Sequence, residues 1–151
     1  SGVNTVVYAN TVLDFDDGPT LDLREPLTPE QRAAVEAHVG AQAFAIITAD
    51  NPDGRVVDPD VNRRSGERLR RELVGRGLGY REVIGRSPDA SHQEHSVAVA
   101  MPLDEARSLG AEFRQVAIFW YEGGVFYLVA CRGPAELVRL PLPCRPDRVS
   151  E

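Results

Sequence analysis

The feature that most constrains this chain is the short run Phe44-Ala45-Ile46-Ile47-Thr48-Ala49, apolar on both faces and halted by Asp50-Asn51-Pro52. It is too short for a buried helix and has no polar face. It therefore fits a central strand with packed layers on both sides. The rest of the chain has to supply those layers.

Downstream elements follow at regular intervals. The spacing of Leu69 and Leu73 predicts a helix from about Asn62 to Val74, with Glu67 four residues before Arg71 for an ion pair. Gly75 to Gly79 ends it. Tyr80 to Gly85 reads as a strand, and Glu94 to Met101 as a second one, with Val97, Val99 and Met101 on one face and Glu94, Ser96, Ala98 and Ala100 on the other. Pro102-Leu103-Asp104-Glu105 opens a helix carrying Ala106, Leu109 and Phe113 at helical spacing. Val116 to Tyr121 and Val125 to Ala130 flank Gly123-Gly124, a two-residue hairpin signal. From Phe44 the order is strand, helix, strand, strand, helix, strand, strand. The expected class is α+β, with a ferredoxin-like split β-α-β core and an extra C-terminal hairpin strand. Right-handed crossovers would put both helices on one face of the sheet.

The N-terminal part supplies additions to this core. Val3 to Phe15 is rich in Val and Thr and reads as one or two strands, followed by a turn at Asp16-Asp17-Gly18-Pro19. Thr28-Pro29-Glu30-Gln31 opens a helix with a capping box and proline at the first position, and Gly40 ends it. That helix is the candidate cover for the second face. A single domain is expected over 1–134, with its core at 44–130. Residues 135–151 are Pro-rich and read as an irregular tail.

Composition removes several function classes. Of 151 residues, 42 % are hydrophobic and 26 % charged, as in an ordinary globular domain, and the net charge is −6. General nucleic-acid binding and attachment to anionic membranes need a basic surface, so neither is expected. No apolar run is long enough for a membrane span. All basic residues are Arg, and they cluster at 63–81. Cys131 and Cys144 fit no metal spacing and are too few for a disulfide scaffold. With no secretion-signal pattern at Ser1-Gly2-Val3-Asn4, cytoplasmic residence is expected.

Cofactor and nucleophile motifs are missing too. Gly75-Arg76-Gly77-Leu78-Gly79 follows a helix and precedes a strand, the reverse of a dinucleotide fingerprint. There is no Walker loop, nucleophile elbow or Cys-x-x-Cys. His92-Gln93-Glu94-His95 is not His-Glu-x-x-His, and its imidazoles would leave a strand start in opposite directions. No metal and no cofactor are expected.

Topology nevertheless gathers polar residues. If the strands beginning near Glu94 and Gln115 flank Phe44–Ala49 in antiparallel fashion, its end lies beside their starts. Asp50 and Asn51 then meet Glu94, Ser96 and Gln115. The next helix would bring Asn62 as its cap, and Arg63 or Arg64, to the same rim. Its N-terminus would favour an anion there.

The chain resembles the domain-of-unknown-function 3293 family of small bacterial proteins. The resemblance lies in Ile47-Thr48-Ala49 followed by Asn51-Pro52, and in Asn62-Arg63-Arg64 with Leu69 and Leu73. It continues through Glu94, Ser96, Ala106 and Leu109 to Phe113, Gln115 and Ala117. The chain departs from the family pattern at Asp50, where a small residue or Cys is frequent, and at Arg114, where Gly is. The resemblance implies no activity.

Two functions of different class fit. One is a non-catalytic binding or regulatory module, holding a small polar or anionic molecule through Asn51, Asn62, Arg63, Arg64, Ser96 and Gln115. A protein's acidic segment is an alternative partner. The other is a small hydrolase or transferase with Glu94 as general base and Arg63 or Arg64 as an anion clamp.

Overall fold

In the computed structural model, which describes residues 3–143, every strand joins one eight-stranded antiparallel sheet of order β2-β1-β4-β5-β3-β6-β7-β8. The strands are β1 (Val12–Phe15), β2 (Thr20–Asp22), β3 (Ala43–Thr48), β4 (Arg81–Arg86), β5 (Gln93–Val99), β6 (Ala117–Glu122), β7 (Val125–Ala130) and β8 (Leu137–Leu140). The helices are α1 (Thr5–Ala9), α2 (Pro29–Val39), α3 (Pro59–Gly75) and α4 (Leu103–Glu112). The protein is thus α+β.

β3 lies between β5 and β6 and is antiparallel to both, with Thr48 opposite Ser96 and Ala43 opposite Glu122. Its alternation builds two cores. Phe44 and Ile46 join Val35 of α2, Ala9 of α1, Leu13, Tyr121 and Phe126 on one face. Ala45 and Ile47 join Leu69 and Leu73 of α3 and Ala106 and Leu109 of α4 on the other. Phe44 and Ile47 are fully buried, which contributes about 2 kcal/mol for each side chain. The face-covering role expected of α2 is met. Thr28 and Gln31 form the capping box, and Gly40 closes the helix at φ 80°. Gly123 and Gly124, at φ 63° and 80°, make the β6–β7 turn that needs positive φ at both positions.

Four expectations are corrected. The Val-rich segment 3–15 is not all strand: Thr5–Ala9 is helical, with the Asn4 side chain capping it by accepting from the Val7 N–H. α3 starts a turn earlier than Asn62, because Asp58 caps it and Pro59 takes the first position. Glu67 pairs with Arg63 (3.3 Å), one turn back, rather than with Arg71. Within the stretch expected to be an irregular tail, Leu137–Leu140 pairs with β7 as β8 and buries Leu140. Residues 144–151, including Cys144, lie outside the described residues.

Candidate functional site

The end of β3 is tied down before the chain turns. The Thr48 hydroxyl donates to the His95 carbonyl (2.7 Å) and accepts from the Asp50 N–H (3.0 Å). Asp50 follows, 5 % exposed, and its Oδ2 accepts from the His95 N–H at 2.8 Å. Asn51 then takes the left-handed conformation (φ 50°, ψ 62°), which Asn tolerates better than most residues. This reverses the chain into Pro52. The Asp53 N–H donates to the Arg114 carbonyl (2.7 Å), and the two side chains form an ion pair.

Because α3 starts at Pro59, Asn62 sits inside its first turn with its own N–H bonded to the Asp58 carbonyl (3.2 Å). Its side chain is therefore released from capping. Its Oδ1 accepts from the Asn51 N–H (2.8 Å), and its Nδ2 donates to Asn51 Oδ1 (2.9 Å). Asn51 Nδ2 in turn donates to Glu94 Oε2 on β5 (3.1 Å). The two carboxamides form a bracket that joins the β3–α3 loop, α3 and β5. Gln115 adds a fourth element: its Nε2 donates to the Asp50 carbonyl (3.0 Å) from a buried position.

Asn51, Asn62, Glu94 and Gln115 do therefore meet at one end of the sheet, with Asp50 among them. Ser96 lies opposite Thr48 but is buried within the sheet, between β3 and β4. The arginines behave differently from expectation. Arg63 reaches carboxylates on its own helix, Asp60 at 3.7 Å and Glu67 at 3.3 Å, and forms no ion pair with Glu94. Arg64 is exposed and does not line the cleft described next. The α3 N-terminus is no open anion site either. Pro59 has no N–H, Asp58 Oδ1 takes the Asp60 N–H (2.9 Å), and Asp60 adds a further negative charge.

Beside the bracket lies a broad cleft of about 1650 Å³. Its walls are α1 with Asn10 and Thr11, the loop after β3, the N-terminal half of α3, and the β4–β5 connection through His92. Glu94, Asp50, Asn51 and Asn62 line it, as do Arg63, Arg70 and Arg86. Arg70 is held by Glu82 (2.6 Å) and Arg86 by Asp14. Burial pushes the Glu94 carboxyl above its usual range; the Asn51 hydrogen bond opposes this and the nearby Asp50 charge adds to it. Burial also raises Asp50, opposed by the His95 N–H. Tyr8 is raised first by burial and then by Glu94, so α1 brings a phenol near this carboxyl. Among the described residues, no three His, Cys, Asp or Glu side chains are grouped to hold a metal, and no helix is long and apolar enough to cross a membrane.

Sequence reasoning missed α1 as a wall and Arg70 and Arg86 as lining residues. Asn4, a good helix cap ahead of Thr5, was the available signal for α1. Nothing in the sequence marks Arg70 apart from the other arginines of its helix.

Fold and site together define an α+β protein with a carboxamide-braced carboxyl beside a cleft at one end of an antiparallel sheet. Residues 47–118 match the model of the family described as "Protein of unknown function (DUF3293)". The match runs from β3 into β6 and contains both bracket asparagines, Glu94, Ser96 and Gln115. No curated protein and no solved structure matched the chain significantly.

Proposed function

We propose that the cleft binds a small polar molecule and that the protein is a non-catalytic binding or regulatory module. One observation carries this reading. Glu94 lines the cleft, yet among the described residues it accepts a single hydrogen bond, from Asn51. An ionised carboxyl has about four acceptor positions, so most of its capacity is left for a ligand. In this reading Asn51, Asn62 and Gln115 hold the wall, and Glu94 makes the contact. Arg63 contributes only by leaving its helix partners; Arg64 and Ser96 take no direct part.

The same reading treats β3–α3–β4–β5–α4–β6 as a ferredoxin-like unit. The order β4-β5-β3-β6 supports this, as does the packing of α3 and α4 on one face. It also includes work in the bacterial cytoplasm, with which the free, buried thiol of Cys131 is consistent.

A second reading makes Glu94 a general base, favoured by the burial that raises its carboxyl and by Asp50 alongside it. One experiment addresses both. Isotope-labelled protein is titrated with a library of small polar fragments of either charge, followed by amide shifts, in wild type and Glu94→Gln. Shifts confined to Val57, His92, Glu94 and their neighbours support binding. A library that moves no cleft amide sinks the binding reading. A fragment that Glu94→Gln still binds but no longer converts establishes the second reading instead.

A further inference from the structure

We infer that the cleft takes a small organic cation, an ammonium or guanidinium group on a short apolar body. This rests on the binding reading above and names its ligand class. The charges around the cleft argue against an anion. Its three arginines are each engaged by carboxylates: Arg63 by Asp60 and Glu67, Arg70 by Glu82, and Arg86 by Asp14. An anion would have to break one of these pairs, and the α3 N-terminus offers it no substitute because Asp58 and Asp60 occupy the first turn. A cation meets the opposite situation. Glu94 has acceptor capacity left, and the Asp50 carboxylate adds negative potential beside it. A cation bonding Glu94 would stabilise its charged form, in the way Arg or Lys does for a half-buried carboxylate.

The apolar body is argued from a separate observation. Val7 is 64 % exposed and Val56 84 %, and they stand on different walls of the cleft, α1 and the loop after β3. Val57 and Pro59 continue the second wall. An alkyl chain of a few carbons lying between these side chains would remove apolar surface from water on both walls. A bare inorganic cation would not use it.

The test compares three probes that share a short alkyl chain and differ in the charge of the head group: n-butylammonium, butyramide and butyrate, titrated into the full chain and followed by amide shifts. The expected result is cleft shifts with butylammonium alone, and roughly tenfold weaker binding in Glu94→Gln, as for loss of a charge-assisted hydrogen bond. Val56→Lys alters a largely exposed side chain and leaves the fold alone. It should weaken butylammonium about threefold by repulsion. Butyrate or butyramide binding as tightly as butylammonium overturns the cation class while leaving the binding reading intact. If none of the three probes moves a cleft amide, the cation inference is overturned. The broader fragment library then decides whether the cleft binds anything.

Discussion

The two ends of the central strand solve the same problem with different resources. At the Ala43 end, the Tyr121 hydroxyl donates to Glu36 Oε2 (2.6 Å) and the Trp120 indole donates to Glu122 (2.9 Å). Arg32 lies across Gly124, so closely that a Cβ there would come within 2.4 Å of its Cδ. The Tyr121–Glu36 bond and the Arg32 contact tie α2 to the β6–β7 hairpin, the Trp120–Glu122 bond lies within β6, and neither glutamate lines the cleft. At the Thr48 end, two carboxamides, a buried carboxylate and a glutamine join β3, α3, β5 and the α4–β6 corner. The hydrogen bonds stop at Glu94, which faces the cleft with capacity to spare. One end closes the fold; the other leaves a carboxyl at the wall of the cleft.

The comparison breaks most directly at Asn51. Asn51→Ala removes the acceptor of Asn62 Nδ2 and the donor to Glu94, and places Ala at φ 50°. Three part-buried polar groups, Asn62 Nδ2, Glu94 and the Val57 N–H, lose a partner and the backbone gains strain, together about 3 kcal/mol of lost stability by denaturant unfolding. Asn51→Gly separates the contributions. It should recover about 1 kcal/mol, since Gly carries no left-handed penalty. A loss under about 1 kcal/mol for Asn51→Ala would mean that the bracket is decorative and the two ends are not alike in strength.

At the other end, Tyr121→Phe keeps the ring stacked on Phe44 and removes only the hydroxyl on Glu36. The expected cost is about 1.5 kcal/mol, a charge-assisted hydrogen bond with its acceptor still partly reachable by water. The Tyr121 phenol is raised first by burial and then by Glu36. A raised folded pKa means that stability is kept below pH 10 and falls as pH rises above it, and Tyr121→Phe should flatten that alkaline fall.

Most of this architecture could be read before any coordinates. Phe44 to Ala49 had to be central because both its faces are apolar, and two antiparallel neighbours then had to bring Glu94 and Gln115 to its end. That inference needs only strand directions, so it survived. What failed was local. Thr5–Ala9 has β-branched residues and high strand propensity, but Asn4 caps it and packing buries Ala9, and together these outweigh propensity over five residues. Asp58-Pro59 carries the same cap-and-proline pattern as Thr28-Pro29. It is hard to recognise there because the apolar periodicity only becomes visible near Leu69. Leu137–Leu140 was hidden by the prolines around it; those prolines flank β8 and leave its ladder intact. The arginines were the least legible of all. Helix spacing says which carboxylates are within reach of Arg63, and only the side-chain arrangement shows that Glu67 and Asp60 win over Glu94.

The smallest expected effect is also the one that separates the two ends most clearly, because its sign is opposite. Glu94 and Asp50 both carry carboxyls raised by burial. For such a group the folded state holds its proton at a pH where the unfolded chain has lost it. Its contribution is therefore greatest below the unfolded value, near 4.5 for Glu and 3.8 for Asp, and is lost as pH rises through the folded value. Glu94→Gln removes one of these two groups while keeping an acceptor for Asn51. As pH rises through and above the unfolded value its stability should fall less than that of wild type, and at neutral pH it should equal or exceed wild type, unlike Asn51→Ala and Tyr121→Phe. Denaturant midpoints at three pH values are enough to measure this. If Glu94→Gln were instead destabilised at neutral pH as strongly as Asn51→Ala, Glu94 would be a structural anchor like Glu36. Its remaining capacity would then have no claim on a ligand.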